Sequence, residues 1–152
     1  MVKYTDEKLI KIIRGKNTKD EILEKIVNLI DENTDLVIDK KIFLENIMER
    51  EKIGSTGIGM GIAMPHTRCE GVKDLVVSIA LLETPVDFGA IDGELIKVVV
   101  LVGGPKEKGQ EYLKVMSSIA RIFREKENRD NIKTARTEEE LIKSIMEIER
   151  WE

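Results

Sequence analysis

The sequence predicts an α/β protein, a three-layer α-β-α arrangement in which a mixed sheet of about five strands is flanked by helices. Three observations carry this expectation. Residues 75–82 and 96–102 form two almost continuously apolar, β-branched runs, the pattern of strands covered on both faces. Thr18-Lys-Asp-Glu21 and Thr137-Glu-Glu-Glu140 are capping boxes, each opening a stretch with apolar residues at helical spacing. Helices before, between and after the strands then call for a sheet held between helical layers.

Residues 9–13 read as a short strand. Thr18 caps a first helix that carries Ile22, Leu23, Ile26, Val27 and Ile30 on one face. Asp39 caps a second helix, with Phe43, Leu44, Ile47 and Met48, which fades near Glu51 before Gly54. Residues 62–64 form a further strand, followed by the two long strands, the second of which ends at Gly103-Gly-Pro105. A third helix spans about 108–124, with Leu113, Met116, Ala120 and Phe123 on one face, and a last helix carries Leu141, Ile142, Ile145 and Met146.

The chain has 152 residues, of which 41% are hydrophobic and 36% charged. That length suits a single domain over residues 1–152, able to bury ~68–70% of the surface its unfolded form exposes. Aromatics are only 4%, so Ile, Leu, Val and Met must build the core. A net charge of -4 weighs against nucleic acid, which calls for a basic patch. No run approaches the ~18 apolar residues of a membrane span, and the first twenty residues are charged throughout, unlike a secretory leader. Cys69 is the only cysteine, which excludes an internal disulfide and fits a reducing, cytoplasmic setting.

The chain also holds a single histidine, His66, at the end of Ser55-Thr-Gly-Ile-Gly-Met-Gly-Ile-Ala-Met-Pro-His66. Pro65 fixes its own φ and biases Met64 towards extended geometry, so His66 leaves a stiff strand end in a defined direction. Gly54, Gly57, Gly59 and Gly61 permit tight turns and leave backbone N–H groups unshielded, which suits an anion. Arg50 and Glu51 close the preceding helix, and Ser55 and Thr56 add hydroxyls. These parts suit an imidazole that receives and passes on a phosphoryl group, a reaction that needs chiefly positioning and charge neutralisation. The residues alone leave plainer readings open. A lone histidine at a strand end can be structural, the glycines can form a simple loop, and Arg50 can serve the C-terminal dipole of its helix.

Competing chemistry is poorly supported. Gly57-x-Gly59-x-Gly61 is not GxGxxG and leads into a strand, there is no P-loop, and no GxSxG elbow is present. His66-Thr-Arg-Cys69 offers two zinc ligands, too few without partners. Neither a metal nor another cofactor is therefore expected.

The run Glu51, Ile58, Gly59, Ile62, Ala63, Met64, Pro65, His66 resembles the phosphorylation signature of the type 2 enzyme IIA domains, the fructose–mannitol and nitrogen-regulatory class of the bacterial phosphoenolpyruvate-dependent phosphotransferase system. Arg50-Glu51 and Phe88-Gly-Ala-Ile-Asp-Gly93 are similar to further family segments, and the resemblance covers about residues 5–149. It implies a phosphotransferase working through a phosphohistidine. Phosphoryl passes from phosphoenolpyruvate through enzyme I and HPr to Nε2 of His66, with Arg50 facing the phosphate. It then goes to a IIB domain serving sugar uptake through a membrane IIC permease. The alternative is a regulatory, nitrogen-type protein whose phosphorylation state selects a cytoplasmic partner, and a scaffold without chemistry is a third reading. Ser55, Thr56 and Thr67 are assigned hydrogen-bond support, and Glu51 and Tyr112 are counted with them as phosphate-binding or supporting residues. Two departures stand out: Thr67 replaces the small residue the signature prefers after the histidine, and Tyr112, in Glu111-Tyr112-Leu113, stands where many members carry a second histidine. Tyr112 can replace a donor there, or simply pack as a helix-face aromatic.

Overall fold

The computed structural model of the chain describes residues 4–148. Its elements run β1 (Ile10–Ile13), α1 (Lys19–Asn33), α2 (Lys40–Ile53), β2 (Gly57–Gly59), β3 (Ile62–Ala63), β4 (His66–Arg68), β5 (Val76–Val86), β6 (Ile96–Gly104), α3 (Gly109–Arg124), α4 (Lys126–Lys133) and α5 (Glu138–Met146). Six strands form one mixed sheet in the order β1-β5-β6-β3-β2, with β4 also pairing β6. β1 lies parallel to β5, β5 antiparallel to β6, and both β3 and β4 parallel to β6.

Alternation along the long strands separates two cores. Val77, Ile79 and Leu81 of β5 and Val98, Val100 and Val102 of β6 pack with Tyr112, Ile119, Ile122, Ile132, Leu141 and Ile145 from α3, α4 and α5. Val76, Ala80 and Leu82, with Val99 and Leu101, face Ile22, Ile26, Ile30, Phe43 and Ile47 of α1 and α2. This is the three-layer arrangement the two apolar runs predict, and the central parts of both strands are almost wholly apolar because both faces are covered there. The capping residues sit where expected, but the second capping box is half made, because the Glu140 carboxylate accepts from the Arg136 N–H instead of the Thr137 N–H. Thr18 accepts from the Glu21 N–H while Glu21 accepts from the Thr18 N–H, and Asp39 and Thr137 accept from the N–H groups of Ile42 and Glu140.

The differences from the expected elements lie where the strands are short, where a helix is polar, and on α3, whose buried face is Tyr112, Ile119, Ile122 and Phe123 while Leu113 is exposed. Three strands, β2, β3 and β4, occupy the segment read as glycine loop and one strand. Pro65 has no N–H to give the ladder and separates β3 from β4. Its carbonyl still accepts from the Val102 N–H at 2.9 Å, so β4 continues along the same edge of β6. The helix α4 escaped because only Ile132 of its eight residues is buried, which leaves no apolar stripe to read.

Gly103 pairs with Thr67 at the C-terminal end of β6, beside the strand that carries His66. A Cβ there would lie 2.8 Å from Cζ of Phe43, a fully buried ring. Gly103→Ala is therefore expected to destabilise the fold by about 1–3 kcal/mol, measured as a lower urea midpoint. Among the described residues no helix is long and apolar enough to cross a membrane.

Candidate functional site

His66 opens β4 on the open edge of β6, opposite Val102. Its Nδ1 lies 2.7 Å from the Met64 carbonyl oxygen. A carbonyl can only accept, so Nδ1 carries the proton and the lone pair of the neutral ring is on Nε2. The local sequence explains this bond. Met64 is held extended before the proline, its own N–H donating to the Thr56 carbonyl at 2.9 Å, and its carbonyl is thereby aimed back at the ring.

Burial pushes the imidazole below its ordinary value near 6.5. The bond to Met64 favours the protonated ring, the Arg50 charge disfavours it and the Glu51 charge favours it. Burial prevails, so His66 is neutral and carries its lone pair at neutral pH. Between the folded midpoint and 6.5 the unfolded chain binds the extra proton, so stability is full above that window and falls as pH drops through it. A ring-proton NMR titration of this lone histidine is expected to give a midpoint below that of the unfolded chain in urea.

Tyr112, from the first turns of α3, is buried beside the ring, with centroids 6.3 Å apart and planes tilted by 51°. Burial pushes its phenol well above the usual range, against the opposing pull of the Arg68 and Arg50 charges, so it stays protonated. The site thus places a neutral phenol next to His66, which can donate but cannot titrate. Arg68, two residues beyond His66 on β4, lies over the Tyr112 ring at 5.4 Å and donates to the Lys106 carbonyl at 3.3 Å.

Arg50 and Glu51 arrive together at the end of α2 and do different things. Arg50 donates to the Gly54 carbonyl at 3.0 Å, closing its own helix, while its charge is felt at both His66 and Tyr112. A guanidinium has five donors, so that one bond does not exhaust it. Glu51 is buried, 8% exposed, and turns inward. One oxygen accepts from the Thr56 hydroxyl in a short hydrogen bond, and the other pairs with the Lys19 ammonium at 2.5 Å.

The remaining expected residues separate. Ser55 accepts from the Gly57 N–H at 3.0 Å and shapes the turn into β2. Thr67 is half-buried in β4, where strand alternation turns its side chain to the opposite face from His66. The glycines do not form the anion cradle that their spacing suggested. They make the β2–β3 hairpin, with Gly59, Met60 and Gly61 all at positive φ, and the Met60 N–H is taken by the Asp92 carboxylate at 2.9 Å. The register Ile62↔Val98 and His66↔Val102 puts that hairpin tip more than four residues, ~13 Å, up the sheet from His66. Cys69 is buried with the α1–α2 core, whereas His66 lies beside Tyr112. Lys19 went unrecognised in the sequence because it stands 32 residues before Glu51 in a helix that otherwise reads as a plain amphipathic one. The only signal was a lysine at the unfavourable, positive end of that helix.

With this geometry in hand, comparison with known proteins is specific. The family model described as phosphoenolpyruvate-dependent sugar phosphotransferase system, EIIA 2, matches residues 3–148. A nitrogen regulatory protein of Pseudomonas aeruginosa is 33% identical over 132 residues, 87% of this chain and 85% of the relative. The 2-O-alpha-mannosyl-D-glycerate-specific EIIABC component of the Escherichia coli PTS is 31% identical over 105 residues, 68% of this chain and 16% of that protein. Among solved structures, nitrogen regulatory protein IIA-Ntr from Neisseria meningitidis superposes with a TM-score of 0.83 at 28% identity, covering 93% of this chain and 96% of the other. The chain belongs to the EIIA type 2 family of the phosphoenolpyruvate-dependent phosphotransferase system.

Proposed function

We propose that the protein is a phosphocarrier that accepts a phosphoryl group on His66 from phospho-HPr and uses that phosphorylation to control a cytoplasmic partner. The observation that carries this reading is the 2.7 Å bond from His66 Nδ1 to the Met64 oxygen, because it leaves the lone pair on Nε2. In the proposed step that lone pair attacks the phosphorus of the donor. The donor's phosphorus–nitrogen bond breaks, and its electron pair returns to the donor nitrogen. The His66 ring becomes positive, with its Nδ1 proton still held by Met64, and Arg50 offsets the charge of the phosphoryl oxygens. The reverse sequence delivers the group to an acceptor.

Sugar uptake and regulation share this chemistry and differ in the acceptor. A IIB domain serving a sugar permease is supported by the family description and by a relative of which this chain spans 16%. Regulation is supported by relatives matched over most of their length, and we favour it over uptake. Adding ~-2 of charge at one surface is enough to change which partner docks there.

Intact mass after incubation with phosphoenolpyruvate, enzyme I and HPr is expected to rise by one acid-labile phosphoryl group. A folded protein that gains nothing from active upstream enzymes of its own source would contradict the reading. Rapid passage of the group to a IIB cysteine would restore sugar uptake to first place.

A further inference from the structure

We propose that Lys19 is a positioning residue of the site, setting the charge felt at His66 by offsetting the buried Glu51 carboxylate behind it. The functional value of this arrangement rests on the phosphocarrier reading above, while the Lys19–Glu51 pair itself stands on the geometry. Glu51 is 8% exposed, and its nearest cation is the Lys19 ammonium at 2.5 Å. Lys19 is held there from a second side by Phe88, whose ring centroid lies 5.1 Å from the ammonium. It does so as the first residue of α1, next to the Thr18 cap, where the helix dipole disfavours a cation. A residue that breaks the local charge rule while reaching a buried carboxylate on another helix answers to something beyond its own helix.

The consequence for a phosphoryl group is direct. The charged groups around His66 are Arg50 and Glu51 from α2 and Arg68 on its own strand, with the neutral phenol of Tyr112 from α3. Arg50 and Glu51 are the two whose charges the ring feels, with opposite signs. Alone they cancel, and a dianionic phosphoryl would meet a site with no net charge from α2. Lys19 offsets part of the Glu51 charge, which leaves more of the Arg50 charge for the phosphoryl group. Glu51 is thereby free to anchor Thr56, and with it the segment whose carbonyl fixes Met64, at less electrostatic cost to the site.

The test uses the full chain and its one histidine. The His66 titration midpoint is followed by NMR in wild type, Lys19→Met, Glu51→Gln and the double variant, with Lys19→Arg as the conservative control. Lys19→Met should raise the midpoint by about half a pH unit, Glu51→Gln should lower it by a similar amount, and the double variant should return near wild type. Lys19→Arg should leave it in place. Opposite signs that cancel cannot come from loosened packing, and the spectra report folding in the same samples. Phosphoryl uptake from phospho-HPr should fall about tenfold in Lys19→Met and recover in the double variant. A midpoint unmoved by Lys19→Met, or a double variant no better than the single one, would overturn the role. Wild type that takes up no phosphate would count against the phosphocarrier reading only, since the titration decides the coupling by itself.

Discussion

His66→Ala is expected to abolish phosphoryl uptake completely, with no residual acid-labile product in the mass spectrum after prolonged incubation. The chain has no second histidine to take over. The neighbouring candidates are unsuited: the Tyr112 phenol is pushed up by burial and remains protonated, and the Cys69 thiol is raised by burial within the α1–α2 core. The fold should survive. His66 is half-buried on an edge strand, and its loss forfeits one hydrogen bond to the Met64 carbonyl, a cost of ~1 kcal/mol. The same variant should also flatten the pH dependence of stability just below 6.5, because the group that binds an extra proton on unfolding has gone. Loss of uptake together with an unchanged stability slope would mean that His66 acts in transfer while some other group sets the slope. Retained uptake would place the phosphoryl group elsewhere and remove the basis of the phosphocarrier reading.

The parts of the fold legible in the sequence were those with long, regular patterns. β5 and β6 announce themselves by almost continuous apolar runs, and α1 and α5 by their capping boxes and four- to five-residue apolar faces. β2, β3 and β4 are two or three residues long, shorter than any periodicity can register; β3 and β4 pair with β6, and β2 pairs with β3. The site divides in the same way. His66 and Arg50 were legible because proline, glycine and a helix end surround them. The direction of each side chain was not. Thr67 and His66 are adjacent in sequence, yet strand alternation sends them to opposite faces. Ser55 and Thr56 looked equivalent as hydroxyl donors, but one accepts from Gly57 to shape a turn and the other is buried on Glu51. The glycines correctly marked tight backbone turns, while the anion they seemed to await is supplied by the chain's own Asp92. Lys19 could not be found from spacing, because its partner is brought to it by the packing of α1 on α2.

Arg50→Ala should separate structure from transfer at this site. Its guanidinium donates to the Gly54 carbonyl at the end of α2, so removal takes away one C-terminal capping bond, worth about 1 kcal/mol, from a helix anchored elsewhere by Phe43 and Ile47. Transfer should suffer far more, by about 10²–10³-fold, the loss seen when one preorganised donor to a developing anion is deleted. The asymmetry arises because the phosphoryl group needs charge and donors aimed before it arrives, whereas the helix end can turn its orphan carbonyl to water. Arg50→Lys provides the internal check. A lysine keeps the positive charge but not the planar fork, so it should restore the electrostatic part and leave a residual defect from lost geometry. The free-enzyme His66 midpoint gives an independent reading of the same charge. Arg50 disfavours the protonated ring, so Arg50→Ala should move the midpoint upward and Arg50→Lys should hold it near wild type. An Arg50→Ala protein with full transfer and an unmoved midpoint would reduce Arg50 to a helix cap. A large fall in transfer with a clearly raised midpoint would tie the rate to the field at His66 rather than to any loss of fold.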